Sequence, residues 1–191
     1  MGNNCTELMN RYFSDMRELL TKLPVLEIEK VIKVIAKARD DNHRIYIFGN
    51  GGSSATASHM VCDFAKGSIR PGKNRVKVFS LTDNTPLVTS LANDSAYENI
   101  FAEQLENYIE AGDVAIAISG SGNSKNILKG IAVAKAKGAI TIGLTAFNGG
   151  QLKGLVDIAV LVPVNNMEQA EDTHMILDHI ITVCLRSASD V

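Results

Sequence analysis

The sequence predicts an α/β protein: a doubly wound, mainly parallel five-stranded sheet in three layers, with two helices ahead of the first strand. Three observations lead there. Five short apolar runs, at 44–50, 75–81, 113–119, 139–145 and 157–163, read as buried strands, and segments with apolar residues at helical spacing separate them. Strand, loop, helix, strand in strict alternation is the pattern of a parallel sheet covered by helices on both faces. The loops after the first and third of these strands are rich in glycine and serine, where such sheets bind their ligands.

The elements follow in order. Residues 4–22 and 25–41 carry apolar residues at helical spacing and are split by Pro24. Further helices are expected near 53–66, 84–91, 96–110 and 124–137, and the chain closes on one near 168–188. No internal repeat, linker or low-complexity stretch interrupts 1–191, so one domain is expected. The two leading helices, within 1–42, are expected to pack against a second copy of the chain.

Composition narrows the function. A chain of 191 residues, 46% hydrophobic and 21% charged, has an ordinary soluble composition. Its net charge of −2 points to neither a nucleic-acid nor an anionic-membrane partner. No apolar run reaches the ~18 residues of a membrane span. Cys5, Cys62 and Cys184 form no paired pattern, which fits a reducing cytoplasm. Met1-Gly2-Asn3-Asn4-Cys5-Thr6 satisfies the permissive N-myristoylation pattern, but a plain chain start is the preferred reading.

Two loops carry chemistry. In GNGGSSATASHMVCD (49–63), Gly49, Gly51 and Gly52 allow tight turns and close approach of backbone to a ligand. In SGSGNS (119–124), three hydroxyls, Ser119, Ser121 and Ser124, flank glycines at a helix start, where free amides and the dipole favour an anion. Either loop alone is an ordinary strand-to-helix turn; two at equivalent strand ends suggest a phosphate site. Neither matches the nucleotide-binding patterns GxxxxGK[ST] or GxGxxG, so nucleotides are disfavoured. His59 and Asp63 are four apart and share a helix face, which is also the spacing of a plain surface pair. The last helix holds Glu168, Glu171, Asp172, His174, Asp178 and His179. His174 and His179 lie about 140° apart around an ideal helix, so one site does not take both.

GNGGS-x5-H-x3-D, S-x-SGNS and a C-terminal E-x7-H, taken together, resemble the sugar isomerase (SIS) domain family, a flavodoxin-like three-layer fold, and within it the phosphoheptose isomerases. The likeness covers almost the whole chain. It implies aldose–ketose isomerisation of sedoheptulose 7-phosphate to D-glycero-D-manno-heptose 7-phosphate through an enediol. It also implies a divalent metal ion, zinc, and a homotetramer with active sites shared between subunits. Residue by residue, it places Ser119, Gly120, Ser121 and Ser124 at the sugar phosphate. Asn50, Gly51, Gly52 and Ser53, with Asn93 and Asp94 from LANDSAYE, fall on the sugar. His59, Asp63, Glu171 and His179 become metal ligands, Asp63 and His179 also the acid/base pair, and Glu171 a substrate contact.

Three positions depart from the family. Asp63 stands where a glutamate is expected, a difference of about 1.5 Å in reach, in chemistry sensitive to such displacements. Glu171 adds a charge where a neutral amide is usual, and Gly120 replaces a threonine. On one continuous helix Glu171 and His179 would lie about 12 Å apart along the axis. The helix is therefore expected to begin after Glu171, or the site to be shared between copies. Alternatives are an isomerase of another phosphosugar, a lyase or etherase on the same fold, and a non-catalytic sugar-phosphate-binding regulator or adaptor.

Overall fold

The computed structural model describes residues 4–187; Met1–Asn3, the first half of the acylation pattern, lie outside the described residues. Strands β1 (Arg44–Gly49), β2 (Lys77–Ser80), β3 (Val114–Ile118), β4 (Ile140–Thr145) and β5 (Ile158–Leu161) form one sheet in the order β2-β1-β3-β4-β5, every pair parallel. Their centres are continuous apolar runs because helices cover both faces, so no alternation with polar residues is needed.

Helices α1 (Cys5–Leu20) and α2 (Val25–Asp40) precede the sheet, as expected. On one face α2, α3 (Gly52–Cys62) and α8 (Met167–Ser187) bury Ile32, Ile35, Met60, Phe64 and Leu177 against Ile45, Ile47, Ile116 and Ile142. On the other, α5 (Ala102–Tyr108), α6 (Lys125–Ala136) and α7 (Leu152–Leu155) close over Tyr46, Phe48, Ala115 and Ala117. Gly130 of α6 makes room for this layer, since a Cβ there would meet Phe48 at 3.0 Å. α1 contributes only Leu19 to the buried core and leaves Leu8, Met9, Phe13 and Leu20 exposed.

Three boundaries differ from expectation. The segment at 96–110 divides into a 3₁₀ turn, Tyr97–Asn99, which extended Ala96 (φ −162°, ψ 151°) sets off from the preceding helix, and α5. The helix near 84–91 runs on as α4 (Thr85–Asp94), capped by the Asn84 side chain on Leu87 N–H. α3 passes into a π-helical turn, Asp63–Gly67, closed by Ser68 N–H on the Asp63 carbonyl at 3.0 Å. Such a widened turn is common at functional sites.

The chain moves from β1 outward to β2, then returns across β1 to build β3, β4 and β5 in the other direction. The connections reverse between β1 and β3, and the loops that leave these two strands are the two glycine–serine loops. That crevice is where a doubly wound sheet takes its ligand.

Asp113 fixes the opposite end of the same two strands. Its carboxylate, 2% exposed, accepts Arg44 N–H at 2.8 Å and Glu110 N–H at 3.0 Å. Asp113→Ala is expected to cost about 2–4 kcal/mol, two charge-assisted bonds being lost inside the protein. Urea unfolding of the variant checks this; a loss below about 0.5 kcal/mol would show that the bonds do not anchor β1 to β3.

Candidate functional site

The first loop is shaped by its own glycines. Gly51 has φ +54°, a conformation that side chains resist, and it turns the chain directly into α3. A Cβ on Gly52 would stand 2.7 Å from the Glu171 carboxylate, so the absent side chain lets α8 lie against the start of α3. The added charge at position 171 thereby sits at a helix N-terminus, where the dipole favours it.

Across the crevice, the second loop is held from within. Ser119 Oγ accepts Gly122 N–H at 3.2 Å and Ser121 Oγ accepts Asn123 N–H at 3.3 Å. Ser124 opens α6 without capping it through its side chain; of the first-turn amides, Ile127 N–H donates to Asn126 Oδ1 at 3.0 Å, which leaves those of Lys125 and Asn126 to a ligand. Gly120 has a steric reason: a Cβ there would meet Met167 Sδ at 2.7 Å, so Met167 fills the space that a threonine would need. Together the loops line a cleft of about 260 Å³ with Asn50, Gly51, Gly52, Ser53, Ser119, Gly120, Ser121, Ser124, Met167 and Glu171.

Asn50 is fixed by partners that no sequence motif singles out. It exchanges amide hydrogen bonds with buried Asn126 at 2.9 and 2.8 Å, and its Oδ1 also accepts Tyr97 O–H at 2.9 Å. Asn93 and Asp94 end α4 exposed, Asn93 Nδ2 donating to Asp94 Oδ1 at 2.8 Å, and neither lines the cleft.

Two turns along α3, His59 and Asp63 meet α8. The Nε2 atoms of His59 and His179 lie 3.3 Å apart, and each lies 3.7 Å from Asp63 Oδ2. Asp178 Oδ2 is 4.0 Å from His59 Nε2. One donor atom from each of these four residues falls within 4.8 Å of every other, a set able to hold a metal ion. Glu171 is not in the set. α8 begins at Met167, so the expectation of a helix starting after Glu171 is corrected: Glu171 and His179 share one helix, and Asp178 stands beside His179 instead.

Asp178 belongs to a buried polar stripe. His174, Asp178 and Thr182 recur every four residues on the inner face of α8, with Thr145 at the end of β4; their polar side-chain atoms have no hydrogen-bond partner among the described residues. Burial pushes the Asp178 carboxyl up to about 7, with the neighbouring Asp63 charge adding to it and Thr182 opposing. Burial holds His174 down to about 4, weakly opposed by the Thr145 backbone. The two buried groups mark this stretch of α8 as chemically unusual.

Residues 11–146 match the profile of the SIS domain. The chain belongs to the SIS domain family. The match takes in both crevice loops and α3 and stops before α8. A probable phosphoheptose isomerase from Thermoplasma acidophilum is 38% identical over 159 residues, covering 82% of this chain and 87% of that protein. A phosphoheptose isomerase from Aquifex aeolicus is 33% identical over 183 residues, 93% and 95% of the two chains. The structure of a phosphoheptose isomerase from Neisseria gonorrhoeae superimposes with a TM-score of 0.90 over 97% of this SIS domain and all of that chain; at 24% identity this shows the shared fold.

The buried pair sets a pH signature for the metal-free protein. His174, protonating at about 4 when folded and 6.5 when unfolded, gives stability present above pH 6.5 and lost as pH falls through 4. Asp178, at about 7 folded against 3.8 unfolded, gives stability present below 3.8 and lost as pH rises through 7. Between pH 4 and 6.5 the slopes oppose, so wild-type stability is expected to be nearly flat there. His174→Leu should make it fall with rising pH, and Asp178→Asn should make it fall with falling pH, each approaching about 1.4 kcal/mol per unit. Urea midpoints at pH 4.5, 5.5 and 6.5 measure this; three parallel profiles would refute it.

Proposed function

We propose that this SIS domain is a phosphosugar aldose–ketose isomerase that interconverts sedoheptulose 7-phosphate and D-glycero-D-manno-heptose 7-phosphate through an enediol. One observation carries the reading: a hydroxyl-rich loop shares a cleft with the start of α3, and a His–Asp group stands where α3 ends, on the side packed against α8. Curated relatives at 33–38% identity over most of the chain carry the name phosphoheptose isomerase, which supports the same substrate.

The spacing suits a long sugar. Gly52 and His59 are seven residues apart on α3, about 10 Å along the axis. An extended heptose 7-phosphate reaches roughly 10 Å from C1 to phosphorus, at about 1.3 Å of advance for each C–C bond. Ser121, Ser124 and the first amides of α6 hold the phosphate, while Ser119 shapes their loop. Asn50, Gly51, Gly52, Ser53 and Glu171 border the sugar; Asn93 and Asp94 are assigned to it by the family resemblance alone. C1 and C2 then lie beside Asp63 and His179. Asp63 takes the proton alpha to the carbonyl and returns it at the neighbouring carbon, while His179 donates a proton to the carbonyl oxygen on C2 and takes one from the hydroxyl on C1, which becomes the new carbonyl.

Two imidazoles and a carboxylate from His59, Asp63 and His179 fit zinc. When bound, such an ion supplies Lewis acidity toward the developing enediolate oxygen. Self-association accompanies this reading, supported by exposed Leu8, Met9 and Phe13 on α1 with Val25 and Leu26 at the start of α2; a homotetramer is the assembly that the resemblance implies. Three free cysteines and the lack of a membrane-crossing helix among the described residues support a cytoplasmic setting.

Assay of zinc-loaded protein on ketose phosphates of five to seven carbons tests the function. Turnover is expected to be fastest on sedoheptulose 7-phosphate. Ser121→Ala with Ser124→Ala should raise KM at least 10-fold, each lost hydrogen bond to a charged group being worth about 1.5–3 kcal/mol. Binding without turnover would favour a regulator, and unchanged kinetics in the double variant would remove the phosphate from this loop.

A further inference from the structure

We propose that Asn126 and Tyr97 are positioning residues for the sugar: together they hold the Asn50 carboxamide in one orientation, in which it meets a sugar oxygen as a hydrogen-bond donor only. The proposal rests on the contact between Asn50 and the sugar given above, not on the isomerisation step.

The orientation follows from a single backbone amide. Ile127 N–H can only donate, so the Asn126 side-chain atom 3.0 Å from it is the oxygen. The other end of that amide is Nδ2, and the Asn50 atom facing it at 2.8 Å must accept, which makes it Oδ1. Asn50 Nδ2 then donates to Asn126 Oδ1 at 2.9 Å and closes a two-bond amide pair. Tyr97 Oη lies 2.9 Å from Asn50 Oδ1, an atom that carries no proton, so the phenol donates. Each step leaves the next no choice.

What Asn50 has left to offer is a matter of counting. A carboxamide has two lone pairs on oxygen and two hydrogens on nitrogen. Asn126 and Tyr97 occupy both lone pairs, and Asn126 takes one hydrogen. One Asn50 N–H remains, without a partner among the described residues. In a two-bond amide pair the bonded hydrogen is the one on the oxygen's side, so the remaining N–H lies on the flank opposite Tyr97. Asn50 lines the cleft with Ser121, Ser124 and Glu171, where that donor is usable. The pair also joins two loops: Asn50 follows β1, and buried Asn126 sits in the first turn of α6, directly after the phosphate loop. The sugar donor and the phosphate donors are thereby held at a fixed separation.

The test reads the two ends of the ligand separately. The full-length chain is titrated calorimetrically with sedoheptulose 7-phosphate and with inorganic phosphate, and its turnover is measured. Tyr97→Phe removes one hydroxyl from a side chain that is more than half exposed. It should weaken sugar-phosphate binding about 3–10-fold and raise KM by the same factor, with kcat and inorganic phosphate affinity both within about twofold. Asn126→Asp, of equal size, sets a carboxylate oxygen against Asn50 Oδ1 and should cost about 10-fold or more in sugar-phosphate affinity. If that variant does not fold, the ¹H–¹⁵N signals of the wild-type Asn50 side chain decide: sedoheptulose 7-phosphate should shift one of the two hydrogens, and inorganic phosphate neither. Wild-type sugar-phosphate affinity in Tyr97→Phe or in folded Asn126→Asp would overturn the proposal. So would a loss in Tyr97→Phe shared equally by inorganic phosphate, a lower kcat at unchanged KM, or Asn50 signals that sedoheptulose 7-phosphate does not move. A wild type that binds sedoheptulose 7-phosphate without isomerising it would end the isomerase reading and leave this one standing.

Discussion

Everything at the candidate site depends on the close, parallel packing of α8 along α3. Two glycines set it. At Gly52 an added Cβ would stand 2.7 Å from Glu171, and at Gly67, past the π-helical turn, 2.9 Å from Thr182. Gly52 to Gly67 on one helix thus runs in register with Glu171 to Thr182 on the other, and His59 and Asp63 in the middle face Asp178 and His179. A side chain at Gly52 would displace the Glu171 carboxylate, and one at Gly67 would crowd the Thr182 methyl, beside the 3.3–4.0 Å distances of the His–Asp group. The sheet supplies the remaining constraint. By reversing direction between β1 and β3, it brings the start of α3 beside the start of α6, so the anion loop faces the same cleft.

The two ends of α3 differ in electrostatic character. At the loop end, hydroxyls and helix-terminal amides offer neutral donors, and the one acid present, Glu171, rests on a helix N-terminus. At the far end, two carboxylates and two imidazoles crowd together beside a buried polar stripe that finds no partner within the described residues. A phosphate suits the first environment and a divalent cation the second. A ligand able to use both is a molecule with a phosphate at one terminus and a polarisable carbonyl at the other. Membership of the SIS domain family is consistent with such a molecule, and the departures at positions 63, 120 and 171 each have a local counterpart in Asp178, Met167 and Gly52.

The architecture was readable in the sequence because buried parallel strands are unbroken apolar runs and their helices begin at glycine–serine turns. The His59–Asp63 face followed from helical spacing alone. The partner of that face did not. Six titratable residues from Glu168 to His179 compete for it, and the choice depends on the register of α8 on α3, where Gly52 meets Glu171 and Gly67 meets Thr182. Asp178 was visible as an acid beside a histidine, but nothing in the sequence showed that it would be sealed from water. Tyr97 and Asn126 escaped notice for a similar reason: their contact with Asn50 spans 47 and 76 residues of chain. The break at Ala96 that frees Tyr97 carries no proline or glycine to announce it.

The central claim is that Asp63 and His179 move a proton between C1 and C2 of a phosphosugar bound between the two loops. Turnover of sedoheptulose 7-phosphate in D₂O, followed by mass spectrometry and NMR of the aldose formed, tests it most directly. A proton-transfer route through an enediol predicts deuterium at C2 of the product, rising toward one atom per molecule as the base exchanges with solvent, with Asp63→Asn abolishing both turnover and incorporation. Product formed at full rate without deuterium at C2, or equal incorporation by Asp63→Asn, would contradict it.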